Sequence, residues 1–117
     1  MFLVEGSKIT MSRGDTGSIK IAAMGHTFAS GDRALFSVKN KFGQIVKQDI
    51  YQLTTGAFTA VFANTDTDML PPGRYLWDVR YVTEPSYDEG GNIVNGTQII
   101  TPMEPQPLVL LDIVGCI

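Results

Sequence analysis

Apolar and polar side chains alternate along several short stretches of this chain, and that period of two constrains its fold more than any other feature. The alternating stretches are residues 18–22, 33–39, 57–63 and 74–81. The last of them is the most informative, because Trp77 shares one face with Tyr75 and Tyr81 while charged residues occupy the other face. Such alternation is typical of β-strands with one buried face.

Turn signals separate these stretches at short intervals. Residues 40–43 and 88–92 contain asparagine and glycine and are typical of hairpin loops. About seven or eight short strands at this spacing predict an all-β, antiparallel sandwich or barrel, and of the two we expect the β-sandwich. One stretch departs from the pattern: a short helical turn is expected near residues 65–70, with Asn64 or Thr65 as its N-cap and two prolines after it.

The charge of the chain argues against nucleic acid and membranes as partners. The formal net charge is −3, and the nine basic residues are spread along the sequence without forming a run. Binding to a phosphate backbone or to an anionic lipid surface needs clustered positive charge. The longest aliphatic run, residues 108–111, is too short to cross a membrane. We therefore expect neither kind of partner.

Cysteine usage and the start of the sequence indicate where the chain is made. The single cysteine, Cys116, excludes an internal disulfide bond. The first residues have no basic region and too short an apolar run for a signal peptide. Both features favour synthesis in a reducing cytosol, with a fold that depends on its core alone.

The chain is expected to divide into a β-sandwich domain over residues 1–101 and a proline-rich segment over residues 102–117. The segment ends in residues 108–114, whose apolar side chains occupy both faces of an extended chain. A strand of this kind needs cover on both sides. It is either the last strand of the sandwich or a docking arm on another subunit of a homo-oligomer. The docking contacts would come from Leu108, Leu110, Leu111 and Ile113.

The residues that usually perform catalysis form no recognisable set in this sequence. His26 is the only histidine, and the only cysteine lies far from it, so no nucleophile can be paired with a base. Two carboxylates can hydrolyse glycosides across a cleft, but Glu84, Asp88 and Glu89 border a Gly-Gly turn, where acids are usually solvated. We expect a chain that is not an enzyme and needs no cofactor.

Two acidic residues are candidates for metal ligands. Asp66 and Asp68 place carboxylates at alternate positions, as the oxygen ligands of calcium loops are placed. The same residues also suit the start of a helical turn, where negative charge is favourable. The second explanation needs no metal, so we expect none to be bound.

The aromatic residues leave a carbohydrate-binding module as an alternative function. Tyr75, Trp77 and Tyr81 would form a stacking platform for sugars if their shared face were exposed, and the centre of the core if it were buried. Tyr51 and Tyr87 are the other aromatic residues available for such a platform.

Four stretches of the chain resemble a known family. They are residues 9–16 (ITMSRGDT), 34–39 (ALFSVK), 66–79 (DTDMLPPGRYLWDV) and 91–97 (GNIVNGT). Together they resemble the immunoglobulin-like β-sandwich domain at the N-terminus of upper baseplate proteins in tailed phages of Gram-positive hosts, which has short relatives in prophages. The likeness covers about residues 7–101.

This resemblance implies a structural part of a phage or prophage tail or baseplate. Such a part assembles into rings and contacts other tail or baseplate proteins, so its place is the virion tail after synthesis in the bacterial cytoplasm. The matching residues are turns, caps and core aromatics, and the resemblance transfers no catalytic or ligand residue to this chain. A small adaptor or decoration protein is therefore expected.

Overall fold

A computed structural model of the chain describes residues 1–22, 28–53 and 56–112. These residues form eleven strands and one short helix. In chain order the elements are β1 (Phe2–Glu5), β2 (Lys8–Ser12), β3 (Gly17–Ala22), β4 (Arg33–Lys39), β5 (Ile45–Gln52), β6 (Ala57–Phe62), α1 (Asn64–Thr67), β7 (Gly73–Thr83), β8 (Ser86–Tyr87), β9 (Ile93–Asn95), β10 (Gln98–Ile100) and β11 (Gln106–Leu111). The prediction of an all-β chain with one helical turn is confirmed.

Seven of the strands form one large sheet. Its order is β1-β2-β11-β7-β4-β5, and β10 pairs with the far end of β7. All of its pairs are antiparallel except β2 and β11, which run parallel and place Ile9 opposite Leu108. The remaining strands pair two by two, β3 with β6 and β8 with β9. The short strands β8, β9 and β10 raise the count above the number expected from the sequence.

The hydrophobic core lies between the large sheet and the β3–β6 pair. Phe62 of β6 contacts Phe36 of β4, with ring centroids 5.8 Å apart. Phe36 in turn stacks on Trp77 of β7, with centroids 5.5 Å apart. The indole N–H of Trp77 donates to the carbonyl oxygen of Ser7 at 2.9 Å, so this large side chain is buried without an unpaired donor.

The alternation in the sequence assigns the buried face of the strands correctly. The expected inward residues of β4, β6 and β7 are all buried: Ala34, Phe36, Val38, Phe58, Ala60, Phe62, Tyr75, Trp77, Val79 and Tyr81. Asp78 is an exception on the opposite face, where it is buried beside the ammonium group of Lys39 at 3.8 Å.

β11 lies inside the large sheet, between β2 and β7. The described part of the C-terminal segment therefore contributes a strand to the large sheet. β11 tolerates Pro107 because the pairing with β2 begins only at Leu108, while the pairing with β7 begins at Gln106. A proline lacks the backbone N–H that a second partner would need at this position.

The short helix α1 connects β6 to β7. It begins at Asn64 and its N-cap is Ala63, so the expected N-cap at Asn64 or Thr65 is wrong. The start shifts because a carboxylate oxygen of Asp66 accepts the backbone N–H of Ala63 at 2.7 Å, which satisfies a donor at the helix start. The buried hydroxyl of Thr67 accepts the N–H of Gly14 at 2.8 Å and ties α1 to the turn after β2.

Candidate functional site

The candidate catalytic and metal residues do not come together in the described part of the chain. His26, Cys116 and Ile113 lie outside the described residues. Among the residues that are described, no group of three or more His, Cys, Asp or Glu side chains could hold a metal ion. Asp68 is exposed at the end of α1, whereas Asp66 is already engaged by protein groups.

Asp66 belongs to an ion cluster around the buried Lys47. The ammonium group of Lys47 lies 2.8 Å from Asp66 and 2.5 Å from Asp49, and 5.1 Å from the ring centroid of Phe62. Burial alone would lower the pKa of Lys47, but its hydrogen bonds to both carboxylates and their charges outweigh burial and raise this pKa. The cluster joins β5 to α1 and gives Asp66 a structural role.

The carboxylates near the β8–β9 hairpin also hold loops in place. Asp88 accepts the backbone N–H groups of Gly90 and Asn92, each at 2.9 Å. The hydrogen bond from the Asn92 backbone is the main reason why the pKa of Asp88 is lowered. Glu84 accepts the hydroxyl of Thr97 at 3.0 Å. These contacts explain the acids as parts of turns.

The aromatic row is part of the core and offers no platform for sugars. Tyr75, Trp77 and Tyr81 are all buried, and burial raises the pKa of both tyrosines. Tyr51 stacks on Phe58 with centroids 5.2 Å apart. Tyr87 is exposed on β8 but lies in a strand of only two residues. Of the two alternatives that the sequence leaves open for Tyr75, Trp77 and Tyr81, the structure therefore shows the centre of the core.

The C-terminal docking residues divide between the core and the surface. Leu108 and Leu110 are buried in the chain's own core, so the expectation that they dock on another subunit is wrong for both. The physical reason is that β11 is paired on both sides and faces the β3–β6 layer. Leu111 is exposed at the end of β11.

The strand β1 forms one outer edge of the large sheet, and no described strand pairs with its other side. The carbonyl oxygen of Met1 accepts the N–H of Ser12 at 2.9 Å. Because every second residue of an antiparallel strand bonds to its partner, Leu3 bonds to β2 while Phe2 and Val4 direct their N–H and C=O groups outward. We call this row of outward groups, with the side chains of Leu3 and Val4, the β1 edge.

The two edges of the large sheet differ in how they are protected. β5 carries a bulge, since Val38 pairs with Lys47 but Lys39 pairs with Ile45, and the Tyr51 hydroxyl accepts a backbone N–H from β6 at 3.0 Å. β1 is only four residues long and ends in the charged Glu5, but it contains no lysine, proline or bulge, and both Leu3 and Val4 are exposed. Natural proteins use such devices to prevent strands from pairing with other chains. The β1 edge is thus open to pairing.

A second surface is a cavity of about 390 Å³ between the β4–β5 hairpin loop and the turn before β7. Phe42 and Lys41 belong to the loop wall, and Pro71 and Pro72 to the opposite wall. The ring of Phe42 is 75% exposed. An aromatic ring that is exposed beside a concave apolar surface is typical of a binding site.

Hydrogen bonds hold both walls of this cavity in place. The side-chain oxygen of Asn40 accepts the N–H groups of Phe42 and Gln44, each at 3.0 Å, which closes the hairpin loop. The buried Tyr75 donates its hydroxyl to the carbonyl oxygen of Pro71 at 2.6 Å. The cavity is therefore formed before any ligand binds.

A second, smaller cavity of about 220 Å³ is lined by residues of β2, β7 and β11. Arg74 lines both cavities, Lys41 lines only the first and Lys8 only the second. No Asp or Glu among the described residues lines either cavity. We call the two cavities together the basic groove.

Sequence reasoning missed both surfaces. The walls of the basic groove come from residues 40–46 and 70–75, which the pairing of Lys39 with Leu76 brings side by side. The signal available in the sequence was Lys41 next to Phe42 in a hairpin loop, where an exposed aromatic residue has no role in the core.

Comparison with protein-family models, curated proteins and solved structures finds no match to this chain. In the described ranges, no helix is both long enough and apolar enough to span a membrane. The two surfaces therefore carry the functional proposals.

Proposed function

We propose that this chain is a structural part of a phage or prophage tail or baseplate, which acts through protein–protein contacts and assembles with copies of itself. The β1 edge is the observation that carries this proposal. Its outward N–H and C=O groups lie beside the exposed apolar side chains of Leu3 and Val4. Pairing with a further strand satisfies such groups and removes apolar surface from water.

The β1 edge is complementary to itself. In an antiparallel pair of two copies around a two-fold axis, Phe2 of one copy exchanges hydrogen bonds with Val4 of the other. Leu3 then faces Leu3 of the second copy, and the two large sheets continue into one another. A contact of this kind uses the same patch on both subunits, as two-fold interfaces do.

The resemblance to the domain of upper baseplate proteins supports the tail location. Its stretches coincide with parts that shape the fold: residues 9–16 cover most of β2 and the turn after it, and residues 66–79 run from α1 through Trp77. The tail location is tested by the neighbouring genes, among which tail, portal or lysis genes are expected. A neighbourhood of metabolic genes alone would contradict it.

The self-association is tested by light scattering on the purified chain. We expect an oligomer for the unchanged chain and a monomer for Leu3→Lys, because two lysines would face each other across the axis. The matched control is Val94→Lys, which changes an exposed apolar residue in β9, away from the β1 edge, and should leave the mass unchanged. An unchanged chain that stays monomeric at high concentration, or a Leu3→Lys variant with unaltered mass, contradicts the proposal.

A further inference from the structure

We propose that the basic groove binds an extended segment of a partner protein that carries both apolar and acidic side chains. This inference rests on the proposed function, since it assigns a second contact of the same interaction part. It concerns a surface separate from the β1 edge, so the two contacts can be tested independently.

Charge is the first argument for this partner. Lys41, Arg74 and Lys8 line the groove, and no described acid lines it, although the chain as a whole has a net charge of −3. No ion pair within the described residues engages any of these three cations. The ammonium group of Lys41 lies 5.2 Å from the ring centroid of Phe42, a contact that leaves its charge in place. Carboxylates on a partner would therefore meet positive charge that no described carboxylate neutralises, which gives both faster association and specificity.

The shape of the groove is the second argument, and it favours an extended chain. Lys8 lies on β2 and Arg74 on β7, with β11 between them. Two strand spacings separate them by roughly 10 Å, and Lys41 lies on the hairpin loop beyond Arg74. A ligand that reaches all three cations must be elongated, so a peptide segment with several carboxylates fits better than a compact anion.

The apolar walls are the third argument. Phe42 and Val46 on one side and Leu70, Pro71 and Pro72 on the other offer apolar contacts between the cations. The hydrogen bonds of Asn40 and Tyr75 hold these walls in place before binding, which limits the ordering cost. A segment in which apolar and acidic residues alternate matches this arrangement.

The test measures fluorescence anisotropy of two labelled peptides on the full chain at about 0.1 M salt, where the Debye length is about 10 Å. One peptide alternates Leu and Glu, and the other alternates Leu and Gln. We expect the acidic peptide to bind about 10-fold or more tightly than the Gln peptide. Arg74→Glu should weaken binding of the acidic peptide about 10-fold or more, because it removes one attractive charge contact and adds a repulsive one.

The matched control is Arg80→Glu. Arg80 is also exposed and lies on the same strand and the same face as Arg74, but outside the groove. This variant should bind the acidic peptide within about twofold of the unchanged chain, since an exposed charge beyond a Debye length is screened. Equal effects of Arg74→Glu and Arg80→Glu would overturn the proposal, because they would indicate attraction by overall charge alone.

Four further outcomes separate this inference from its rivals. Equal binding of the Gln peptide would overturn the acidic partner, and stronger binding to vesicles containing anionic lipid than to the peptide would assign the groove to a membrane instead. A Leu3→Lys variant that is monomeric but still binds the acidic peptide would show that the groove works without the β1 edge. If the acidic peptide does not bind to an unchanged chain that still self-associates, this inference is overturned while the proposed function stands.

Discussion

β11 and β1 are both short apolar strands that flank β2, yet they lie in opposite environments. Leu108 and Leu110 of β11 are each 1% exposed, whereas Leu3 and Val4 of β1 are 45% and 37% exposed. β11 is paired on both sides, while the described strands pair with β1 on one side only. Position in the sheet, rather than apolar content, therefore decides which strand forms core and which remains open to a partner.

The second layer explains the rest of this difference. Leu108 and Leu110 belong to the core cluster that faces the β3–β6 pair. At the rim, only Phe2 of β1 reaches that layer, with its ring centroid 5.7 Å from that of Phe62. The close approach of Phe2 also requires Gly17, because a Cβ atom at that position would overlap the ring of Phe2. β1 is thus bonded to β2 through its backbone and anchored to the second layer by the side chain of Phe2.

The largest expected effect comes from truncating one leucine of each strand to alanine. Leu110→Ala should lower the free energy of unfolding by about 2–5 kcal/mol, because it leaves a cavity in a packed core. Leu3→Ala should lower it by less than about 1 kcal/mol, as is usual for exposed residues. Urea unfolding measures both. Similar losses in the two variants would show that β1 contributes to the core as β11 does.

Proline provides a second comparison, of the backbone alone. Val109→Pro removes a backbone N–H group from a strand that is paired on both sides. The carbonyl oxygen that loses this donor should lower the free energy of unfolding by about 1–3 kcal/mol. Val4→Pro removes an outward N–H group, so it should cost less than about 1 kcal/mol while weakening self-association. Thermal unfolding and light scattering test the pair. A strongly destabilised Val4→Pro would mean that the bonding pattern of β1 is reversed.

The strands and their buried faces were predictable from the sequence because alternation reports burial directly. Phe36 and Trp77 were assigned to the core from their own neighbours along the chain. The place of β11 was not predictable in this way, since Leu108 pairs with Ile9 from the other end of the sequence. An apolar run on both faces is equally compatible with a central strand and with a docking arm, and only the strand order separates the two.

The candidate surfaces were less predictable than the fold. The four residues of β1 are too few to show a period, and nothing local to them distinguishes an edge strand from an inner one. The basic groove depends on a hairpin loop and a proline turn that β4 and β7 place side by side. The sequence predicts that Phe42 lies in a hairpin loop. Its exposure beside the cavity follows from the packing of the two turns and could not be predicted.

A smaller and pH-dependent effect should distinguish the interior from the β1 edge. In the folded chain the pKa of Lys47 lies above its ordinary value of 10.5, and the pKa of Tyr51 and Tyr81 above their ordinary value of 10.0. A raised pKa contributes stability that is complete below the ordinary value and is lost as the pH rises through the folded value. The free energy of unfolding should therefore decline above about pH 10.

The matched variant for this pH dependence is Lys47→Met. It should remove part of the alkaline decline, because the ammonium group that loses its proton is gone, while Asp49 and Asp66 are partly exposed and can be solvated. Denaturant unfolding between pH 8 and 11 measures the decline. Identical pH profiles for the variant and the unchanged chain would contradict a role for Lys47 in it.

The smallest expected effect is at Tyr75, where the core meets the wall of the basic groove. Tyr75→Phe keeps the buried ring but removes the hydroxyl that donates to the Pro71 carbonyl oxygen. The loss of one hydrogen bond should lower the free energy of unfolding by about 0.5–1.5 kcal/mol. The loosened wall should weaken binding of the acidic peptide, while self-association through Leu3 stays unchanged. Anisotropy and light scattering on the same sample measure both. A variant that loses self-association instead would show that the groove and the β1 edge are one coupled surface.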